Sequence, residues 1–266
     1  MSTSVAGADR APGIARPFRG DGLTKVRRRV RRAVGGVIGA LVTLGIVLLA
    51  SLAPLVSPQD PIEGDITARL VPPIWDARGS AARPLGTDEL GRDVLSRLIH
   101  GSRVSLLASA LAVLIAGTLG VSLGLVGGFY GGWIDWVVTT LINIMMTFPF
   151  VLLALAVIAA LGPSFPNMVF VMGITGWPLY ARVVRAQALK LKVQEFIVAS
   201  EALGLPNLWI MLGRVLPNIV NSIVVLATVE VARMIILESF LSFLGLGVQP
   251  PIPSWGGMLG EARPYM

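Results

Sequence analysis

Val34–Leu55 is a run of 22 residues without a single charge. An α-helix needs about 20 residues to cross the hydrocarbon core of a bilayer, and a soluble domain has no use for an apolar stretch of that length. Further apolar stretches follow at Val104–Phe129, Trp133–Leu161, Met168–Val184 and Val215–Leu237. Backbone groups in lipid must be satisfied within the segment, which leaves helices for runs this long. The chain therefore reads as an all-α, polytopic transmembrane bundle with five spans. Hydrophobic residues make up 54% and charged residues 14%, against about 25% charged in an ordinary soluble domain, and 30 Gly with 18 Pro suit membrane helices.

The charges set an orientation. Residues 1–33 hold nine Lys/Arg against Asp9 and Asp21, and that excess of seven equals the whole net charge of +7. KVRRRVRR directly before a span is a cytoplasmic topology signal that can also touch anionic lipid, which is a stronger reading than a nucleic-acid patch. It is too extended for a signal-peptide preamble, and the apolar run is too long for a cleaved core. The first dozen residues, poor in apolar side chains, are expected to be disordered. The expected organisation is a basic cytoplasmic tail over 1–33, a first span over 34–56, an extracytoplasmic segment with an amphipathic helix over 57–103, and a core over 104–266. With the N-terminus inside, Arg182, Arg185, Lys190, Lys192 and Arg214 all fall on the cytoplasmic side. The cation-free Gly162–Asn167 link and Leu241–Met266 fall outside.

Within the core, residues 186–214 form a polar, cation-flanked cytoplasmic loop. In VASEALGLPNLWIMLGRVLPN, the small residues Ala199, Ala202 and Gly204 allow the backbone of another protein to approach, and Glu195, Glu201, Lys190 and Lys192 frame them. Such a loop is built to be held by a partner. From Thr87, as N-cap, to Gly101, as stop, the sequence predicts a short helix at the outer surface. Asp88–Arg92 and Asp93–Arg97 would pair at i,i+4, which makes them structural pairs rather than a catalytic dyad. No cysteine is present and His100 is the single histidine, so thiolate chemistry and a histidine-rich metal site are excluded. No G-x-x-x-x-G-K-[ST] loop is present to hold nucleotide phosphates. Catalytic and metal-ligating residues are accordingly none.

Three ionisable residues stand in the fifth span. Such groups are costly at membrane depth, face a bundle interior or water, and usually pair. Glu230 and Arg233 are at i,i+3 and can neutralise each other; Glu238 lies near the outer end. They either line a pathway or lock the subunit to a neighbour. Pro149, Pro178 and Pro217 would kink three spans. Gly117, Gly120, Ser122 and Gly124 recur at spacings that allow close helix packing.

PLGTDELGRDVLSRLIHGSRVSL (84–106), GLVGGFYGGWIDWVVTTLINIMMTFPFVLLAL (124–155) and ESFLSFLGLGVQPPIPSWGGML (238–259) surround the Ala/Gly loop. In that order they resemble the second permease subunit of the dipeptide/oligopeptide/nickel class of ABC importers, over about residues 34–266. The resemblance implies a type I ABC-importer permease fold, no enzymatic site, and import of di- or oligopeptides across the plasma membrane. Nickel complexes and glutathione are rival cargoes, and a stand-alone ion-coupled carrier or channel is the reading from a different class. It implies ATPase coupling through Glu195, Ala199, Glu201, Ala202 and Gly204, while Glu230, Arg233 and Glu238 stay open between a substrate pathway, where they would meet the charged termini of a peptide, and a structural pair. The implied partners are a homologous second permease subunit, two ATP-binding subunits and an extracytoplasmic peptide-binding protein. The chain binds the lipid bilayer and no nucleic acid, and no cofactor of its own; ATP and Mg sit on the partner subunits. Two features depart from the family pattern. Val198 stands where the coupling loop usually has a glutamate, and a sixth span is expected after the Trp255 loop.

Overall fold

The computed structural model describes the backbone of residues 21–265 and side chains from residue 34. The expected disorder of the first residues lies outside the described residues, while the backbone of the basic run at 25–32 belongs to the first helix. The chain divides into two units with the boundary after Gly45. Helix α1 (Asp21–Ser51) includes the apolar window Val34–Ser51.

In the second unit a four-residue turn, α2 (Ala53–Val56), leads into an irregular stretch ending at helix α3 (Val94–Tyr130). Then come α4 (Gly132–Thr147), α5 (Phe150–Leu161), α6 (Phe165–Lys192), α7 (Glu195–Ala202), α8 (Asn207–Ile210), a π-helical turn at Met211–Val215, α9 (Leu216–Phe243) and α10 (Trp255–Ala262). Among the described residues there is no β-strand. Three helical stretches among the described residues are long and apolar enough to span a membrane: Val34–Ser51, Val94–Tyr130 and Asn207–Phe243. A fourth arises if α4 and α5, bent by 86° at their junction, count as one. The α6 helix is long enough but less apolar, since it contains Pro178 and ends in Lys190 and Lys192.

The core is a seam between α3 and α6. A Cβ at Gly124 would stand 2.5 Å from the Ala181 carbonyl oxygen, and one at Gly120 would stand 2.5 Å from Tyr180 Cβ. The small-residue row thus packs inside this chain. Ser122 is exposed and takes no part in it. Ala108, Ala112, Met168, Met172, Met234 and Leu241 fill one end; Leu125, Phe129, Val184, Ile197, Ile210 and Val215 fill the other.

Three local expectations are corrected. The short helix from Thr87 to Gly101 does not form as a separate element. Gly86 and Gly91 adopt φ of +78° and +74°, conformations that break a helix. Asp93 is the N-cap instead, accepting from Ser96 N at 2.8 Å and Ser96 Oγ at 2.6 Å, and from Val94 the helix runs straight into the next span. Thr87 Oγ1 bridges the loop, accepting from Val71 N at 2.8 Å and donating to Ala68 O at 2.6 Å. Gly101 does not stop the helix; a Cβ there would meet the Ser254 backbone at 3.4 Å. The 186–214 loop is mostly helical, as described below. The prolines also differ from one another. Pro149 sits at the α4–α5 break, Pro178 lies within α6, and Pro217 opens α9 behind the π turn, where a widened ladder accommodates a residue with no N–H.

Candidate coupling and translocation site

The α7 helix begins after Gln194 with Glu195 in its first turn, where a carboxylate favours the positive end of the helix dipole. Its C-terminus is closed by a Schellman arrangement: Gly204 N donates to Glu201 O at 2.9 Å, and Leu205 N to Ser200 O at 3.2 Å. Gly204 has φ +76°, which a side chain rarely adopts, and Pro206 follows. Ile197 and Ser200 anchor one face. The opposite face presents Glu195, Ala199 and Ala202, all exposed, with Gly204 just beyond the helix; Glu201, one turn on from Ile197, is exposed at the flank. The five residues expected to couple thus lie on or just after one short helix rather than on a loop. Exposed Phe196, Val198 and Leu203 rim that face. Val198 offers no charge here, and the nearest exposed carboxylates are Glu195 and Glu201.

At the other end of α3 lies a cluster of charges whose full extent was not legible in sequence. Arg92 Nε bonds Asp88 Oδ2 at 2.7 Å, the expected i,i+4 pair. Arg97 does not pair with Asp93, which is occupied as a cap. It pairs with Asp88 and with Glu261 of α10 at 2.7 Å, while Arg92 reaches Glu261 at 3.1 Å. The Arg92 and Arg97 side chains are 4% and 2% exposed, so their charges rely on these carboxylates. Trp255 Nε1 donates to Leu98 O at 3.1 Å, and His100 Nδ1 lies 3.1 Å from Ser96 O, a local contact. Two sequence strings far apart in the chain thereby form one clasp.

Burial pushes the Asp88 carboxyl up, but hydrogen bonds from Arg92, Leu90 and Arg97 outweigh it and hold it below its ordinary value. A depressed carboxyl contributes stability that is present above its unfolded value of 3.8 and is lost as pH falls through the folded value. Glu261→Ala is expected to cost ~2 kcal/mol, less than a fully buried pair because Glu261 is 22% exposed. The measurement is limited proteolysis of the 57–93 segment in membranes, which should accelerate on substitution and on acidification below about pH 4. Unchanged cleavage in both would contradict the clasp.

The membrane-embedded charges behave unequally. Glu230 is 2% exposed and Arg233 49%, joined from one nitrogen, Nη1, at 3.2 and 3.1 Å to the two carboxylate oxygens. The structure brings this pair together and keeps Glu238 apart from it. Glu238 is buried and accepts from Ser242 Oγ at 2.7 Å. A second pair escaped the sequence reading: Arg185 of α6 grips Asp135 of α4 through both Nε and Nη2, the latter at 2.7 Å. Asp135 standing in an apolar run was the available signal.

The second unit is thus a bundle of long helices with an exposed short helix between two of its members and a charged pair within the apolar stretch Asn207–Phe243. Residues 120–266 match the family model described as binding-protein-dependent transport system inner membrane component. The chain belongs to that family. Residues 23–73 of this permease also match the N-terminal TM domain of oligopeptide transport permease C. The permease is 39% identical to a dipeptide transport system permease protein of Haemophilus influenzae over 87% of this chain and 79% of the relative. It is 43% identical to a di/tripeptide transport system permease protein of Pseudomonas aeruginosa, over 87% and 77%. It is 38% identical to a glutathione transport system permease protein of Escherichia coli, over 90% and 77%. The protein is thus a permease subunit of a multi-subunit transporter, not an enzyme, and the stand-alone carrier is set aside.

Proposed function

We propose that this permease forms part of the membrane passage of an ATP-driven importer of di- and oligopeptides in the plasma membrane. The observation that carries the reading is α7, a rigid, small-faced helix held out between two long apolar helices. Its face suits contact with a separate ATPase, and movement there is transmitted through Ile197 and Ile210, which pack in one cluster with Leu125 of α3 and Ile219 of α9. The similarity to permeases named for dipeptides, di/tripeptides and glutathione supports peptide cargo over nickel. The proposed assembly adds a homologous permease subunit, two ATP-binding subunits carrying ATP and Mg, and an external binding protein. Five spans are proposed: α1, α3, α4 with α5, α6, and α8 with α9, the N-terminus being cytoplasmic.

Proteoliposomes holding the assembled complex should take up labelled alanyl-phenylalanine only with both ATP and the binding protein. Uptake that follows a proton gradient without the ATPase subunits would overturn the reading. The orientation is tested in this cysteine-free chain by single cysteines at Ser80 and Ala202, both exposed. A membrane-impermeant maleimide added to intact cells should label Ser80→Cys alone, and labelling of Ala202→Cys would invert the topology.

A further inference from the structure

The break between α4 and α5 opens a cavity of about 210 Å³, walled by Met145, Met146, Phe148 and Phe150, by Pro178 of α6, and by Arg233 of α9. Irregular backbone at membrane depth persists only where protein buries it or where it lines a water-filled space, and broken helices are a recurring way of building transporter sites. Arg233 lies ten residues before Phe243, the end of α9, or ~15 Å along the helix, about half the ~30 Å thickness of the hydrocarbon core. A half-exposed guanidinium at that depth must face water or protein.

We infer that Arg233 is the receptor for the substrate carboxylate, the constant C-terminal group of a peptide, within this cavity. The inference rests on the proposed peptide cargo. Glu230 is buried and engages one nitrogen, Nη1, with both its oxygens. That fixes the guanidinium and leaves its Nη2 and Nε without a partner among the described residues. Arginine's planar fork suits a carboxylate. Glu230 is the positioning residue: its charge offsets the arginine's cost in the membrane without occupying the whole fork. Apart from Thr175 the rest of the wall is apolar, and Met145 and Met146 give it flexible, polarisable surface that accepts side chains of many shapes. A fixed charge with an adaptable wall is what variable peptides sharing one terminus require. The first turn of α5, whose N–H groups have no helical acceptor, opens on the same space and favours the same sign of charge.

The test is turnover of reconstituted complexes with alanyl-phenylalanine and with its C-terminal amide, each delivered at saturating loaded binding protein. The binding protein's own preference is common to every variant and cancels when acid-to-amide ratios are compared. In Arg233→Gln the turnover of the free acid should fall about tenfold or more, as expected for losing a charge-assisted hydrogen bond, and that of the amide less than about twofold. Met146→Glu places a competing carboxylate on the same wall at an exposed position. It should leave the complex assembled and lower the ratio in the same direction, so the inference stays testable if Arg233→Gln does not assemble. An assembled variant of either kind with the wild-type ratio overturns the inference. So does an equal loss for acid and amide with reduced complex yield, which would make Arg233 a contact to the neighbouring subunit. Absence of peptide uptake by the wild type would instead overturn the cargo reading.

Discussion

Ala202→Trp is expected to reduce ATP-driven uptake at least 100-fold while the permease still inserts and its helices still pack. Ala202 is exposed on the outward face of α7, so an indole there meets nothing inside the chain. Against a docked ATPase it holds two surfaces apart, and a gap that removes about 3 kcal/mol of docking free energy corresponds to ~100-fold. Ala199→Trp should act alike. Gly204→Trp is less clean, since at φ +76° any side chain strains the backbone by roughly 1–2 kcal/mol before a partner is involved. Glu195→Gln and Glu201→Gln, which change charge and not bulk, should be milder. Retention of the ATPase subunits with normal uptake in Ala202→Trp would show that α7 is not the docking element.

The second large effect is on folding. Gly124→Leu drives a side chain into α6, where Ala181 O stands 2.5 Å and Ala181 Cα 2.9 Å from the Cβ position. Gly128 is constrained in the same way by Arg185 O at 2.7 Å and Ala188 Cβ at 2.8 Å. Helices held this closely can admit a side chain only by separating, which strips contacts along the whole seam and pulls Arg185 away from Asp135. The expected cost is about 3 kcal/mol or more, at the upper end of overpacking effects. It should be seen as loss of monodisperse complex in detergent and a lower unfolding temperature. Gly117→Ala is the control on the same helix: its Cβ would meet Tyr180 Cε1 at 3.7 Å, ordinary contact, and its stability should stay within ~0.5 kcal/mol of wild type. Equal behaviour of the two variants would mean that the seam is not close-packed in the membrane.

What was legible in the sequence followed from local physics. The length of the apolar runs gave the helices, and the spacing of Glu230 and Arg233 gave their pairing because i,i+3 geometry is fixed by the helix itself. The small residues Ala199 and Ala202 do share the exposed side of one element. The helical form they take was not legible, because its two decisive interactions, the Schellman closure at Gly204 and the burial of Ile197, depend on chain reversal and on α8. Thr87 was the expected cap, and Asp93 was read only as a partner for Arg97. The glycine at 91, held at positive φ against Asp65, decides for Asp93, and nothing local announces that contact. The partners of Arg97 and Arg185 lie 164 and 50 residues away. Periodicity carries no information over such distances.

The clasp also sets an order of events during synthesis. Arg92 and its carboxylate on α10 are separated by 169 residues, roughly 8–34 s of translation at ~5–20 residues per second. For that interval both guanidiniums remain hydrated and the segment before α3 lacks its last tether. Only when α10 emerges do the two ends of this unit close on each other. The clasp therefore closes late, and until α10 is made the segment before α3 stays open to quality-control proteases.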